Sequence, residues 1–146
     1  MSGDYLETTV DKFVLRVKRG LIYSKDHVWV DLEDQRTTLG LTDYAQRKDG
    51  DIVFFEFPLV EERVGEGQPI ALFETIKAAL EILAPFDCSA VEVNRSLEDQ
   101  PELVNQDPYG AGWVARVEPT NPEDVGALLS PEQYFEMMKR EREREA

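Results

Sequence analysis

The feature of this sequence that most constrains its fold is a series of short segments rich in β-branched and aromatic residues, with turn residues between them. Residues 27–32 alternate in period two, and residues 52–57 form the most strand-like run, ended by Pro58. Such spacing is typical of a β-sandwich or barrel, in which each strand buries one face against another sheet. The predicted strands are residues 13–17, 27–32, 37–41, 52–57, 70–74, 80–84, 90–94 and 112–117.

Helical signals are fewer and lie mainly in the C-terminal part of the chain. Thr42 predicts the cap of a short helix that stops at Gly50. Asn121, which precedes a proline, predicts a further helical segment. Ser130 and Gln133 have the spacing of a capping box, so we expect a longer helix to begin between them. That helix is predicted to pack through Tyr134, Phe135 and Met138.

The two ends of the chain offer little apolar surface for packing. Residues 1–12 are polar, and we expect them to be loose. Residues 139–145 carry basic and acidic side chains with no apolar face, which is typical of a solvated, fraying helix end.

Composition excludes several classes of partner. The chain has 146 residues, which fits one domain, and 42% of them are apolar, which is enough for a packed core. The net charge of −14 argues against nucleic acid or an anionic membrane as a partner, because either would be repelled. The sequence shows no apolar run of about 20 residues that could span a bilayer. It also shows no secretory signal, so we expect a cytoplasmic protein.

Few residues are suited to catalysis or to metal binding. Cys88 and His27 are the only cysteine and the only histidine, which excludes an intrachain disulfide, a cysteine cluster and a His-rich metal site. The sequence shows no phosphate-binding loop, dinucleotide fingerprint or catalytic triad. His27 fits a half-buried strand residue better than a general base, and residues 105–110 fit a structural turn. Lys77 between two apolar strands would be exposed, as are most lysines on turns.

Residues 21–134 resemble one known family in several ordered blocks. The blocks at residues 23–30, 40–46 and 50–54 look like the opening strands of the H protein of the glycine cleavage system. Residues 74–79 resemble its lipoylation motif, with an acidic residue three positions before the modified lysine. The remaining blocks, at residues 91–94, 101–105 and 107–113, follow in the order of that family.

The resemblance implies a mainly β lipoyl domain (a barrel-sandwich hybrid) of two small antiparallel sheets with C-terminal helices. Residues 1–20 would be an extension, residues 21–119 the lipoyl domain and residues 120–146 a helical segment. Lipoic acid would be joined to Lys77 by an amide, making the chain a carrier rather than an enzyme. Glu74 and Ala79 would be recognised during this attachment. The resemblance places the arm in a groove lined by His27, Val28, Lys48 and Asp49.

The cargo of the arm is open between two classes. The family usually has glutamate at the position of Val28, where the resemblance implies a contact with the amine of an aminomethyl cargo. Valine leaves an apolar wall, which favours a sulfur cargo, as in the H-like lipoate-binding proteins of bacterial sulfur oxidation. The alternative is the aminomethyl carrier of glycine cleavage, and a lipoyl relay is a third class.

Each class of cargo implies its own partners. A lipoate ligase or lipoyl transferase would attach the cofactor in every case. The sulfur cargo implies a heterodisulfide-reductase-like complex. The aminomethyl cargo implies glycine decarboxylase, aminomethyltransferase and dihydrolipoyl dehydrogenase.

Overall fold

Two antiparallel sheets enclose the main core, and a separate hairpin lies against one of them. The computed structural model describes residues 4–33, 36–58 and 63–145. The strands are β1 (Tyr5–Val10), β2 (Phe13–Lys18), β3 (Ile22–Tyr23), β4 (Val28–Glu33), β5 (Arg36–Leu41), β6 (Ile52–Glu56), β7 (Arg63–Val64), β8 (Pro69–Thr75), β9 (Ala79–Leu83), β10 (Cys88–Val93) and β11 (Ala115–Pro119). The helices are α1 (Asp43–Asp49), α2 (Ser96–Asp99), α3 (Leu103–Gln106) and α4 (Pro131–Glu145), with a 3-10 turn at Pro122–Ala127.

The sheet topology confirms the predicted mainly β fold of small antiparallel sheets with a C-terminal helix. One sheet has the strand order β3-β4-β5-β11-β10-β7, and a smaller one has the order β6-β8-β9. Strands β1 and β2 form a third sheet on their own, which the sequence did not predict. The short helices α2 and α3 were also not predicted, and they lie between β10 and β11.

Strand β4 is buried on both faces where it begins, which differs from the predicted half-buried strand. Val28 and Val30 lie in the main core between the sheets. Trp29 points the other way, into a second apolar cluster with Tyr23 and Tyr134. The reason is that the hairpin and α4 cover the outer side of the larger sheet, so alternate residues of β4 meet two separate apolar layers.

The N-terminal hairpin supplies part of that second layer. Strands β1 and β2 pair from Tyr5 opposite Lys18 to Val10 opposite Phe13. Leu15 and Val17 of β2 are fully buried against the cluster, which also contains α4 residues. The prediction that residues 1–12 are loose is therefore wrong for β1, because long-range packing holds the hairpin in place.

Helix α4 begins with the predicted capping box. The Ser130 N–H donates to Gln133 Oε1 at 2.9 Å, and the Gln133 N–H donates to Ser130 Oγ at 3.1 Å. Its charged end is bound to the rest of the molecule, so the prediction of a solvated, fraying end is wrong there. The Tyr44 hydroxyl donates to Glu141, and the Arg142 guanidinium lies 4.1 Å from the centroid of an aromatic ring, that of Phe13. Within the described ranges, no helix has the length and apolar character to cross a membrane.

Trp29 packs on a position where no side chain fits. Gly40 lies directly opposite Trp29 in the β4–β5 pair. A Cβ atom on Gly40 would come within 2.4 Å of the indole ring. The indole Nε1 donates to the Pro108 carbonyl at 3.0 Å, which fixes the ring in this position. Glycine is therefore required at position 40 of β5, because any side chain there would clash with the Trp29 ring.

We expect Gly40→Ala to lower the free energy of unfolding by about 1–3 kcal/mol, because the new methyl group displaces a buried ring and its hydrogen bond. Denaturant unfolding followed by tryptophan fluorescence measures this change. Gly126→Ala is the matched control, because a Cβ atom there meets nothing within 4 Å. Equal effects of the two variants would contradict this account of Gly40.

Candidate functional site

A two-residue turn between β8 and β9 presents Lys77 to solvent. The Thr75 N–H donates to the Ala78 carbonyl at 2.9 Å, so these two residues close the hairpin. Only Ile76 and Lys77 lie beyond them, and the Ile76 side chain is 85% exposed. The structure therefore places Lys77 at the tip of a tight hairpin.

The side chain of Thr75 stabilises this turn through hydrogen bonds. Its buried Oγ1 accepts hydrogen bonds from the N–H of Lys77 at 3.1 Å and from the N–H of Ala78 at 3.3 Å. A threonine placed just before a tight turn is a known signal for such a side-chain bond. Thr75 is absent from the predicted site residues, although this signal was present in the sequence.

Glu74 and Ala79 lie directly below the tip. They are cross-strand partners in the β8–β9 register, and both are exposed. Side chains of such a pair share one face of a sheet. The two residues therefore flank Lys77 at a fixed distance along the hairpin.

Charged residues at the end of α1 lie within electrostatic range of the tip. Burial raises the pKa of Asp49 above its usual range, and the positive charges of Lys48 and Lys77 act in the opposite direction. The Lys48 Nζ lies 5.9 Å from the ring centroid of Tyr44. Helix α1 is fixed at its start by Thr42, whose Oγ1 accepts from the Ala45 N–H at 3.2 Å, as the sequence predicted.

His27 lies within electrostatic range of Lys48. Its backbone has φ 70°, in the left-handed region, just before β4 begins. Its Nδ1 lies 2.9 Å from the Tyr134 hydroxyl, and its ring centroid lies 5.3 Å from that of Tyr44. Burial and, to a smaller extent, the charge of Lys48 lower the pKa of His27 to about 4, although Glu141 and Asp26 act in the opposite direction. The imidazole is therefore neutral at neutral pH.

The low pKa of His27 links folding to pH with a definite sign. The unfolded chain binds a proton at this histidine near pH 6.5, whereas the folded chain binds it only near pH 4. The stability that the neutral imidazole contributes is therefore complete above about pH 6.5 and is lost as the pH falls toward 4.

Three of the four predicted groove residues interact electrostatically with Lys77 or with one another. We call Asp49, Lys48 and His27, in this order from Lys77, the series. Electrostatic contacts connect Lys77 with Asp49, and Lys48 with both Asp49 and His27. Val28 is not part of this series, because its side chain is fully buried in the main core. The prediction that Val28 lines the groove is wrong for this structure: β4 begins at Val28 and turns its side chain inward.

The other residues singled out in the sequence have structural roles. Asn105 Oδ1 accepts from the Ile52 N–H at 2.9 Å, and its Nδ2 donates to the Gly50 carbonyl at 3.1 Å. These bonds connect α3 to the start of β6, which agrees with the structural role predicted for residues 105–110. Cys88 is 1% exposed, and burial raises the pKa of its thiol to about 11. Among the described residues, no group of three or more potential ligands could hold a metal ion.

Comparison with known proteins shows the family to which this chain belongs. The family model described as "Glycine cleavage H-protein" matches residues 21–141. The chain belongs to the glycine cleavage H-protein family. A glycine cleavage system H protein from Mycobacterium marinum has a similar crystal structure, with a TM-score of 0.75 and 33% identity. The match covers 84% of this chain and 99% of that one.

Curated H proteins are similar to this chain over most of its length. A probable glycine cleavage system H protein from Aeropyrum pernix is 39% identical over 143 residues, which cover 98% of this chain and 100% of that protein. The glycine cleavage system H protein of Carboxydothermus hydrogenoformans is 40% identical over 127 residues, covering 87% and 98%. The β1–β2 hairpin lies before the part that the H-protein model matches.

We expect the single histidine to titrate near pH 4 in the folded protein, because burial disfavours its charged form. NMR of the imidazole carbons measures this pKa directly. Lys48→Met should raise the pKa of His27 part of the way toward 6.5, since the charge of Lys48 lowers it. Lys12→Met, on the exposed turn of the hairpin, is the control and should leave it unchanged. A wild-type pKa near 6.5 would contradict the half-buried, neutral imidazole.

Proposed function

We propose that this chain is a lipoyl carrier of the glycine cleavage system, with lipoic acid joined through an amide to the Nζ of Lys77. The observation that carries the proposal is the placement of Lys77 at the tip of the β8–β9 hairpin, with Glu74 and Ala79 paired below it. The family supports the same assignment, because the similar proteins are named glycine cleavage system H proteins. The chain then acts as a carrier and not as a catalyst.

The described residues fit a long arm attached at this position. Lys77 is exposed, so an enzyme can reach its amine, and Thr75 keeps its backbone in one orientation. When bound, lipoic acid would supply a dithiolane, whose disulfide can accept a carbon fragment on one sulfur as the other is reduced to a thiol. The arm is proposed to lie along the series Asp49, Lys48 and His27, which would shelter its free end.

The charges along this series favour a cationic cargo. At the His27 end of the series, where the free end of the arm is proposed to lie, the carboxylates of Glu141 and Asp26 offset the charge of Lys48, and the imidazole is neutral. A carboxylate offsets the free energy needed to take an amine out of water. We therefore infer an aminomethyl cargo, as in glycine cleavage. The sulfur cargo was favoured by Val28 alone, and a fully buried valine offers no wall to a cargo.

The proposed partners follow from the cargo. They are a lipoate ligase or lipoyl transferase, glycine decarboxylase, aminomethyltransferase and dihydrolipoyl dehydrogenase, all in the cytoplasm. The net charge of −14 suits encounters with basic surfaces, since electrostatic attraction speeds association without requiring a tight complex. A tethered arm raises the effective concentration of its cargo, so such short encounters suffice.

We expect lipoate ligase, ATP and lipoate to add one lipoyl group to the unmodified protein, because Lys77 is presented on a fixed turn. Intact mass spectrometry measures the addition, and peptide mapping locates it. Lys77→Arg should remain unmodified, whereas Lys25→Arg, the change of another exposed lysine, should be modified like the wild type. Modification of the Lys77→Arg protein would show that another lysine is the site.

We expect the lipoylated protein to support the exchange of bicarbonate with the carboxyl group of glycine by glycine decarboxylase. Glu141→Gln should lower this rate by about ten- to hundredfold, as the loss of one partly buried charge contact of roughly 1–3 kcal/mol near His27 implies. Glu143→Gln is the control, because this exposed carboxylate lies two positions further along the chain. At equal lipoylation, absence of exchange with the wild type would contradict the aminomethyl cargo.

A further inference from the structure

The exposed side of the smaller sheet carries an unusual mixture of side chains beside Lys77. Phe54, Glu74 and Ala79 form one row across β6, β8 and β9. Glu56, Leu72 and Glu81 form the next row away from the tip. Paired side chains share one face of a sheet, and these two rows point away from the core. We call this surface, together with Val53, the outer face.

Two adjacent apolar residues of β6, Val53 and Phe54, are both exposed, whereas a regular strand would bury one residue of such a pair. The register of β6 against β8 shifts between Ile52 and Phe54, which leaves Val53 as a bulged residue. Val53 is 57% exposed and Phe54 is 46% exposed. With Ile76, they are three of the five large apolar side chains that stand out as exposed in the described parts of the chain. Exposed apolar groups with a polar rim are typical of an interaction surface.

The rim of this apolar group is acidic. Glu56, Glu74 and Glu81 are all exposed on the outer face, and the two rows contain no basic residue. A partner that fits this surface has an apolar centre and a basic rim, because like charges opposite these glutamates would be repelled.

We propose that the outer face is the docking surface for the enzyme that acylates Lys77. This inference rests on the proposed function, and it names the surface that the attaching enzyme contacts. In the reaction, the Nζ of Lys77 attacks the carbonyl carbon of a lipoyl adenylate. A C–N bond forms, the C–O bond to AMP breaks, and the amine releases a proton.

The position of the outer face directly below Lys77 favours the attaching enzyme, rather than a later partner, as the protein that binds it. Its active site must hold the Nζ of Lys77 itself, so its surface must meet the sheet directly below the tip. The first row of the outer face lies at Glu74 and Ala79, immediately after the two residues that close the turn. Later partners act on the far end of an arm that extends away from Lys77, so their contacts need not include this sheet.

The test compares two double variants in lipoylation by a lipoate ligase with ATP and lipoate. Val53→Thr with Phe54→Thr removes the apolar centre and keeps side chains that suit a strand. Val91→Thr with Leu32→Thr is the matched control on the larger sheet. Val91 is also a bulged residue, and it is 64% exposed, whereas Leu32 is 54% exposed. Thermal unfolding of all forms checks that the fold is kept, and Ile76→Thr on the turn is a second variant.

We expect the outer-face variant to lower kcat/KM by at least tenfold, mainly through KM, with the control variant within twofold of the wild type. Tenfold corresponds to ~1.4 kcal/mol of lost contact. Glu81→Lys should slow the reaction as well, whereas Glu123→Lys, on the 3-10 turn, should not.

Three results would overturn the proposal. In the first, the outer-face variant is lipoylated at the wild-type rate. In the second, both double variants lose activity equally. In the third, lipoylation is normal but the lipoylated variant fails in glycine exchange, which assigns the outer face to a later partner. Each of these leaves Lys77 as the lipoylated residue, whereas a wild-type protein that is not lipoylated overturns the proposed function itself.

Discussion

The relative placement of β4, α1 and α4 depends on one hydroxyl group, that of Tyr134. It lies 2.9 Å from the Nδ1 of His27 and 2.9 Å from the Oγ1 of Thr42, and thus joins α4 to the start of β4 and to the cap of α1. The Tyr134 ring stacks on that of Tyr23, with centroids 4.6 Å apart. Buried polar groups are costly unless they are paired, so these bonds specify a single arrangement of the three elements. Lys48 and Asp49 follow on α1 and are placed by the same arrangement.

The features that the sequence predicted correctly depend on residues close together in the chain. The cap at Thr42 and the capping box of Ser130 and Gln133 need only three or four consecutive residues, and all their bonds are present. The strand positions follow from local alternation and from turns such as the one at Gly50. The placement of Lys77 on a hairpin tip came from the resemblance to a family, since a lysine between two strands carries no special signal of its own.

The features that the sequence did not predict depend on contacts between distant parts of the chain. The polar residues of β1 predict a loose segment. The strand is ordered because it pairs with β2, whose Leu15 and Val17 are buried against α4. The charged end of α4 has no apolar stripe, yet Tyr44 and Phe13 meet it from other elements. The resemblance to the family places Val28 in the groove of the arm. Val28 lies in the core because its side chain points between the two sheets with that of Val30, whereas Trp29 faces the hairpin and α4.

The central claim is that an arm on Lys77 lies along Asp49, Lys48 and His27 and brings its cargo to the imidazole. NMR spectra of the lipoylated protein, before and after loading by glycine decarboxylase and glycine, test it most directly. The chain has one histidine, so its imidazole signals are assigned without ambiguity. We expect loading to shift the imidazole signals of His27 and the amide signals of Lys48 and Asp49. Shifts confined to residues 75–79 at the hairpin tip, with His27 unchanged, would contradict it.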